Sequence, residues 1–431
     1  MDDSHFPNPA AWPPSVTARA PDDEAFWAGV RAQYAVSTEF INLENGFFGV
    51  QAQPVFEAFL RHQRQVNTET SYFLRQRYAA RHAAVLRALA DFCGVGADEL
   101  IITRNLVEAM NILIQGYPFR AGDEVLLATH DYDSVADTLE MVSRRKGIAL
   151  RRVSVPLDPR SDAQIVDLYE QAIHAGTRVL LLTHMVHRTG QIMPVAKIAA
   201  MARRHGVDVM VDAAHSFAHL HYTLPQLEAD FVAVNLHKWL GAPLGVGLLY
   251  IRKARVAEIA PLFGSPQRAS QRDSEGEAGD IGKLAHFGTV PPAPILNVLD
   301  ALQFHHWIGG ANKEARLRYL KEYWLRRVRA MPLVEVLTPG DPQRSCAIAA
   351  FNIRGVPARD VVERLMAEHK IFTVARDIEG RAGVRVTPHL FSSLAELDLL
   401  VAAIAAIAAH PGAAPQPPQG PADEIYQSTP R

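Results

Sequence analysis

Short apolar runs alternate with longer amphipathic stretches through the middle of the chain. The runs fall at 100–103, 124–128, 150–155, 178–183, 207–211, 231–235 and 247–251 and predict seven strands. Helical periodicity fills the gaps at 106–115, 134–146, 163–174 and 195–205. Strands separated by helices of this length predict an α/β fold: a large domain with a mostly parallel seven-stranded sheet covered by helices. The run Val179-Leu180-Leu181-Leu182 lacks polar alternation, as a strand buried on both faces requires.

After residue 251 the rhythm changes. A polar loop at 263–282 leads into a Pro-rich segment, a long helix from about Pro294 and a charged helical stretch at 313–330. Strand-like runs at 334–337, 347–353, 371–375 and 384–387, with helices at 358–368 and 394–409, predict a smaller α+β C-terminal domain. The expected division is an N-terminal extension (1–40), a large domain (41–300), a small domain (301–410) and a disordered tail (411–431) rich in Pro, Gly, Gln and Ala.

Composition removes some function classes. The formal net charge is -2, with both signs scattered, so no basic patch points to nucleic acid or an anionic membrane. The apolar run at 399–409 is too short to span a bilayer, and residues 1–14 lack a signal-peptide pattern, so a cytoplasmic location is expected. Cys93 and Cys346 each sit alone in apolar surroundings and read as buried free thiols.

Three segments carry candidate chemistry. In the first, a buried strand ends at Asn235 and is followed by Leu-His-Lys-Trp-Leu-Gly, which places Lys238 in apolar surroundings. Desolvation lowers an amine's pKa and makes it nucleophilic, although a lone lysine at a strand end commonly just reaches to solvent. In the second, Val207 to Val211 deliver Asp212 at the end of a strand, where open α/β sheets bind ligands; capping the following segment is the plainer role. In the third, a strand runs through Arg104 and Asn105 into a helix, with Glu108 completing a capping-box-like start. The free N–H groups of a first helical turn attract anions such as phosphate.

Together these segments resemble the class V aminotransferases, fold-type-I enzymes of pyridoxal 5′-phosphate (PLP), and within them the branch similar to isopenicillin N epimerase. The run Asn235-Leu-His-Lys-Trp-Leu240 is the most specific piece, followed by Val211-Asp-Ala-Ala-His215. Supporting pieces are Asn42-Leu-Glu-Asn-Gly-Phe-Phe-Gly49, Arg104 to Asn111, His187 to Pro194, Gly288-Thr289 and Arg385-Val-Thr-Pro-His389. The resemblance implies a Schiff base between PLP and Lys238, which also moves protons at the α-carbon of an amino substrate. It implies Asp212 on the pyridine nitrogen, His215 near the ring hydroxyl and Tyr132 stacked on the ring. Asn105, Leu106, Val107, Asn235 and His237 would bind the phosphate, joined by Gly288 and Thr289 of a second subunit in a homodimer. Arg385 would hold the substrate carboxylate, with Asn45 and Phe48 beside it, and Phe47, Tyr72, Arg75 and Arg77 as further lining.

Leu106 and Val107 stand where many relatives carry hydroxyl residues, and His187 stands where an Asn is common. No cysteine lies between Ile371 and Arg385, where desulfurases of this class carry their nucleophile. The resemblance to the epimerase branch makes epimerisation or racemisation at an α-carbon the expected reaction, with transamination, or a β-eliminating or decarboxylating lyase reaction, as alternatives. A metal-dependent hydrolase using His215, His219 and His221 is a minor one, resting on their spacing along a helix.

Overall fold

The structure, a computed structural model, describes residues 17–264, 279–378 and 380–412. The expectations for most of the N-terminal extension's first half, the centre of the polar loop and nearly all of the tail fall outside these residues. The large sheet contains β1 (Leu100–Thr103), β2 (Glu124–Ala128), β3 (Ala149–Val153), β4 (Thr177–Thr183), β5 (Asp208–Asp212), β6 (Phe231–Asn235) and β7 (Gly247–Ile251). Their order is β1-β7-β6-β5-β4-β2-β3, and only β7 runs against its neighbours.

Unbroken apolar runs suit this sheet because both of its faces are covered. In β4, Val179 and Leu181 enter the core on one side, while Leu180 and Leu182 enter the core on the other. β6 repeats the pattern with Phe231 and Ala233 against Val232 and Val234. Each fully buried large apolar side chain contributes about 1.5–3 kcal/mol of transfer free energy. That burial fixes the register and so fixes where each strand ends.

A second sheet holds β8 (Val334–Val336), β9 (Ala349–Ile353), β10 (Val374–Ile378) and β11 (Arg381–Val386), antiparallel in the order β10-β11-β9-β8. Helices Gly310–Arg329, Ala358–His369 and Leu394–Ala409 pack against it. The sequence pattern missed helices Gln53–Gln76 and Tyr78–Cys93, and merged Pro292–Leu296 with Val298–Ile308. It also read one strand at 371–375 where the chain makes two. Ile371–Phe372 pairs in parallel with Ile41–Asn42, and β10 then begins at Val374.

The stretch from Ile41 to Gly49 crosses from the second sheet to the large one. Gly49 donates its N–H to the His237 carbonyl at 3.0 Å, and a Cβ there would lie 2.4 Å from the Lys238 carbonyl oxygen. Only glycine fits so close to that backbone.

Candidate active site

The parallel strands β4, β5 and β6 end together, and a cavity of about 630 Å³ opens above Thr183, Asp212 and Asn235. The second sheet closes its other side with Arg376 and Arg385. Lys238 lines the floor. Its amine is pushed below the usual lysine range by burial and then by the nearby charge of Arg385.

Lys238 Nζ lies 2.8 Å from His215 Nε2, and the indole N–H of Trp239 points at His215 Nδ1 at 3.4 Å. An indole nitrogen only donates, so Nδ1 must accept and a neutral His215 carries its proton on Nε2. Burial and the Lys238 charge hold His215 well below its usual pKa, so neutral is its resting form. The Nε2–H therefore donates to Nζ and favours the uncharged amine. Trp239 is held by its surroundings: it stacks on His219 at 3.7 Å and on His389 at 5.5 Å, and its carbonyl accepts from Lys313 Nζ. His219 is fixed in turn, donating from Nδ1 to the His215 carbonyl (2.8 Å) and accepting at Nε2 from the Ala347 N–H (3.0 Å).

Asp212 closes the opposite wall. One carboxylate oxygen accepts from the Ala214 N–H at 2.9 Å, and the other has no partner among the described residues. Burial raises its pKa, and the Ala214 N–H and the charge of Lys238 pull it back. The carboxylate thus combines the turn-capping role with an unpartnered oxygen in the lining of the cavity. Beneath it, Asp131 accepts from Thr183 and Ala128 and shapes the turn that presents Tyr132. Tyr132 meets His187 edge-on at 5.4 Å, and His187 lies parallel to His215 at 6.3 Å. His187 Nε2 accepts from Arg188, which leaves a proton on Nδ1, a buried atom without a partner among the described residues.

At the end of the cavity where phosphate is expected, some of the donors and acceptors are already paired within the chain. The Asn105 side chain caps the helix Leu106–Gly116 by accepting from the Glu108 N–H at 2.9 Å, and the Leu106 N–H donates to Asn235 at 2.8 Å. Glu108 reaches back to the Arg104 N–H and pairs with its guanidinium. The open donors are thus the Val107 N–H and the amide nitrogens of Asn105 and Asn235, which have no acceptor among the described residues. His237 Nδ1 donates to the Val246 carbonyl, and burial pushes its pKa down to about 4.

Arg385 forms a buried ion pair with Glu44 through Nε and Nη2, and Nη1 donates to the His187 carbonyl at 2.8 Å. Three of its five N–H groups are thereby engaged, and one remains on each terminal nitrogen, the end-on fork that grips a carboxylate. Gly46 packs against the guanidinium, where a Cβ would come within 2.8 Å of it.

Not every expected residue reaches the cavity. Asn45 is buried and bonds to the Thr387 carbonyl and Asn42, while Phe48 is an exposed side chain outside the lining. Gly288 and Thr289, expected to act at the site of a second subunit, are exposed and outside this cavity. Tyr72, Arg75 and Arg77 lie on or beside the helix Gln53–Gln76, off the cavity. The metal set fails on geometry. The chain after Asp212 makes turns rather than a helix, both nitrogens of His219 are engaged, and no metal-binding group of three exists among the described residues. Glu44, Trp239, Lys313, Arg376 and His389 were missed, because their importance comes from contacts distant in sequence.

The comparisons agree with this geometry. Residues 53–388 match the family model described as aminotransferase class-V. Isopenicillin N epimerase of Streptomyces clavuligerus is 26% identical over 89% of this chain and 98% of its own length. A cysteine desulfurase of Haloferax volcanii is 24% identical over 85% of this chain and 89% of its own. Among solved structures, a lysine-to-alanine variant of C-DES, with glycine covalently linked to its PLP cofactor, superposes with a TM-score of 0.77 at 26% identity. It covers 87% of this chain and 98% of that one. A half-paired buried carboxylate facing a desolvated lysine, with unpartnered donors at a helix start, suits PLP and defines a fold-type-I PLP enzyme. The chain belongs to the class-V aminotransferase family.

Proposed function

We propose that the chain epimerises or racemises an α-amino acid, or a metabolite derived from one, with Lys238 as the group that bonds the cofactor and moves the α-proton. When bound, PLP supplies a sink for the electron pair left behind by that proton. Asp212 keeps the ring nitrogen protonated through its unpartnered oxygen. His187 donates from Nδ1 toward the ring hydroxyl side, where His215 lies beside it, and Tyr132 covers the ring. The Val107 N–H and the amides of Asn105 and Asn235 hold the phosphate, with Gly288 and Thr289 reaching it from a second subunit. Arg385 binds the α-carboxylate on its end-on fork.

The observation that carries this reading is the Trp239–His215–Lys238 chain, which keeps Nζ uncharged and ready to accept a proton. Persulfide-forming desulfuration has no nucleophile here. Cys93 and Cys346, the two cysteines of the chain, are buried outside the cavity, and burial pushes the Cys346 thiol up to about 12. Epimerisation takes precedence over transamination through the similarity to the Streptomyces enzyme. In deuterated water, epimerisation gives α-deuterium incorporation accompanied by inversion. Amino transfer that depends on an added keto acid would replace this reading with transamination.

A further inference from the structure

The cavity carries more positive charge than one carboxylate requires. Arg104 is paired with Glu108, Arg188 with Asp133 and Arg385 with Glu44, whereas Arg376 has no acidic or hydrogen-bond partner among the described residues. It is half-buried, and burial and the charge of Arg385 push its pKa down. A desolvated cation beside another cation is costly until an anion joins it.

The sheet fixes where that anion must sit. Val374 faces Arg385 across β10 and β11, and Arg376 faces Gly383, so Arg376 and Arg385 are diagonal neighbours on one face. Such positions lie about 7–8 Å apart. Arg385 donates to the His187 carbonyl, and His187 lies parallel to His215, the partner of Lys238, which ties Arg385 to the reacting centre. Arg376 feels Arg385 first, then Glu44, and after them Tyr132 and Arg188, which also line the cavity. The phosphate end, at Val107 and Asn235, belongs to other elements.

We infer that Arg376 is a specificity site for a second anionic group, so the substrate is an α-amino acid whose side chain ends in a carboxylate or similar anion. This rests on the reading of Lys238 and Arg385 given above. Arg385 holds the α-carboxylate beside the lysine, and Arg376 holds the distal group farther out.

The test titrates the holoenzyme with aspartate, glutamate and the next longer homologue, in both enantiomers, each against its neutral amide, following the visible spectrum. In the wild type at least one acid binds about tenfold or more tightly than its amide. Arg376→Gln removes that preference and leaves the affinity for the amides unchanged, which also shows that the variant is folded and loaded. Three outcomes overturn the inference: no acid is preferred, the preference survives in Arg376→Gln, or the variant weakens acids and amides alike. A protein that forms no chromophore with PLP would instead overturn the cofactor assignment of Lys238, a distinguishable failure.

Discussion

Lys313 is buried and Lys238 half-buried, and desolvation pushes both amines far below the ordinary lysine range. Lys313 lies on the helix Gly310–Arg329 and points at a backbone carbonyl, that of Trp239, away from the cavity. Lys238, one residue before that carbonyl, opens onto the cavity with an imidazole at 2.8 Å and a carboxylate whose charge it feels. A depressed lysine is therefore not evidence of chemistry by itself. What separates the two is the space each amine faces and the unpartnered groups across it.

The sharpest way to break this comparison is to exchange the two residues' fates. Lys238→Ala should abolish borohydride-trappable attachment of PLP and lower activity by at least about 10³-fold. Lys313→Met should retain the trapped chromophore; its loss there would make the two lysines equivalent.

Acid should act next, through the histidines. Burial pushes His130 and His184 down to about 4, and His389, beside Trp239, down to about 3. Their unfolded values lie near 6.5, so the unfolded chain binds more protons below that pH. The stability they contribute is complete above pH 6.5 and drains away as pH falls toward 4. Denaturation midpoints taken across that window should drop steadily, and a flat profile would contradict the neutral histidine cluster.

Lys313→Met leaves the Trp239 carbonyl without its donor and should cost about 1–3 kcal/mol in chemical denaturation. Trp239→Phe should change the proton's position more than the fold. Without the indole donor, His215 can carry its proton on Nδ1 and accept at Nε2, which stabilises the protonated amine. The acid limb of the pH–rate profile should then move up by about one unit, close to 1.4 kcal/mol. An unmoved limb would leave Trp239 a packing residue.

Much of the large sheet was legible because strands buried on both faces leave unbroken apolar runs, as at Val179–Leu182 and Phe231–Asn235. The helix Gln53–Gln76 was not, since its many polar residues blur the 3.6-residue period. Asp212, His215 and Lys238 were readable as local motifs at strand ends. Arg376 was not, because its meaning depends on its register with Arg385 and on Glu44 having already paired the latter. Asn105 and Leu106 line the cavity, and the Asn105 cap on the Glu108 N–H was legible in the local spacing. The bond from the Leu106 N–H to Asn235 was not, because it joins residues 129 positions apart.

The stretch from Ile41 to Gly49 ties both ends of the chain to the lysine. It pairs with Ile371–Phe372, supplies Glu44 to Arg385 across 341 positions, and lays Gly49 on the backbone of Lys238. Contacts of such span form late in folding, because the loop entropy must be overcome before they contribute. On a ribosome, these residues emerge long before the partners they need at 371 and 385. Docking of this stretch is therefore expected to follow formation of the large sheet and to complete the mouth of the cavity.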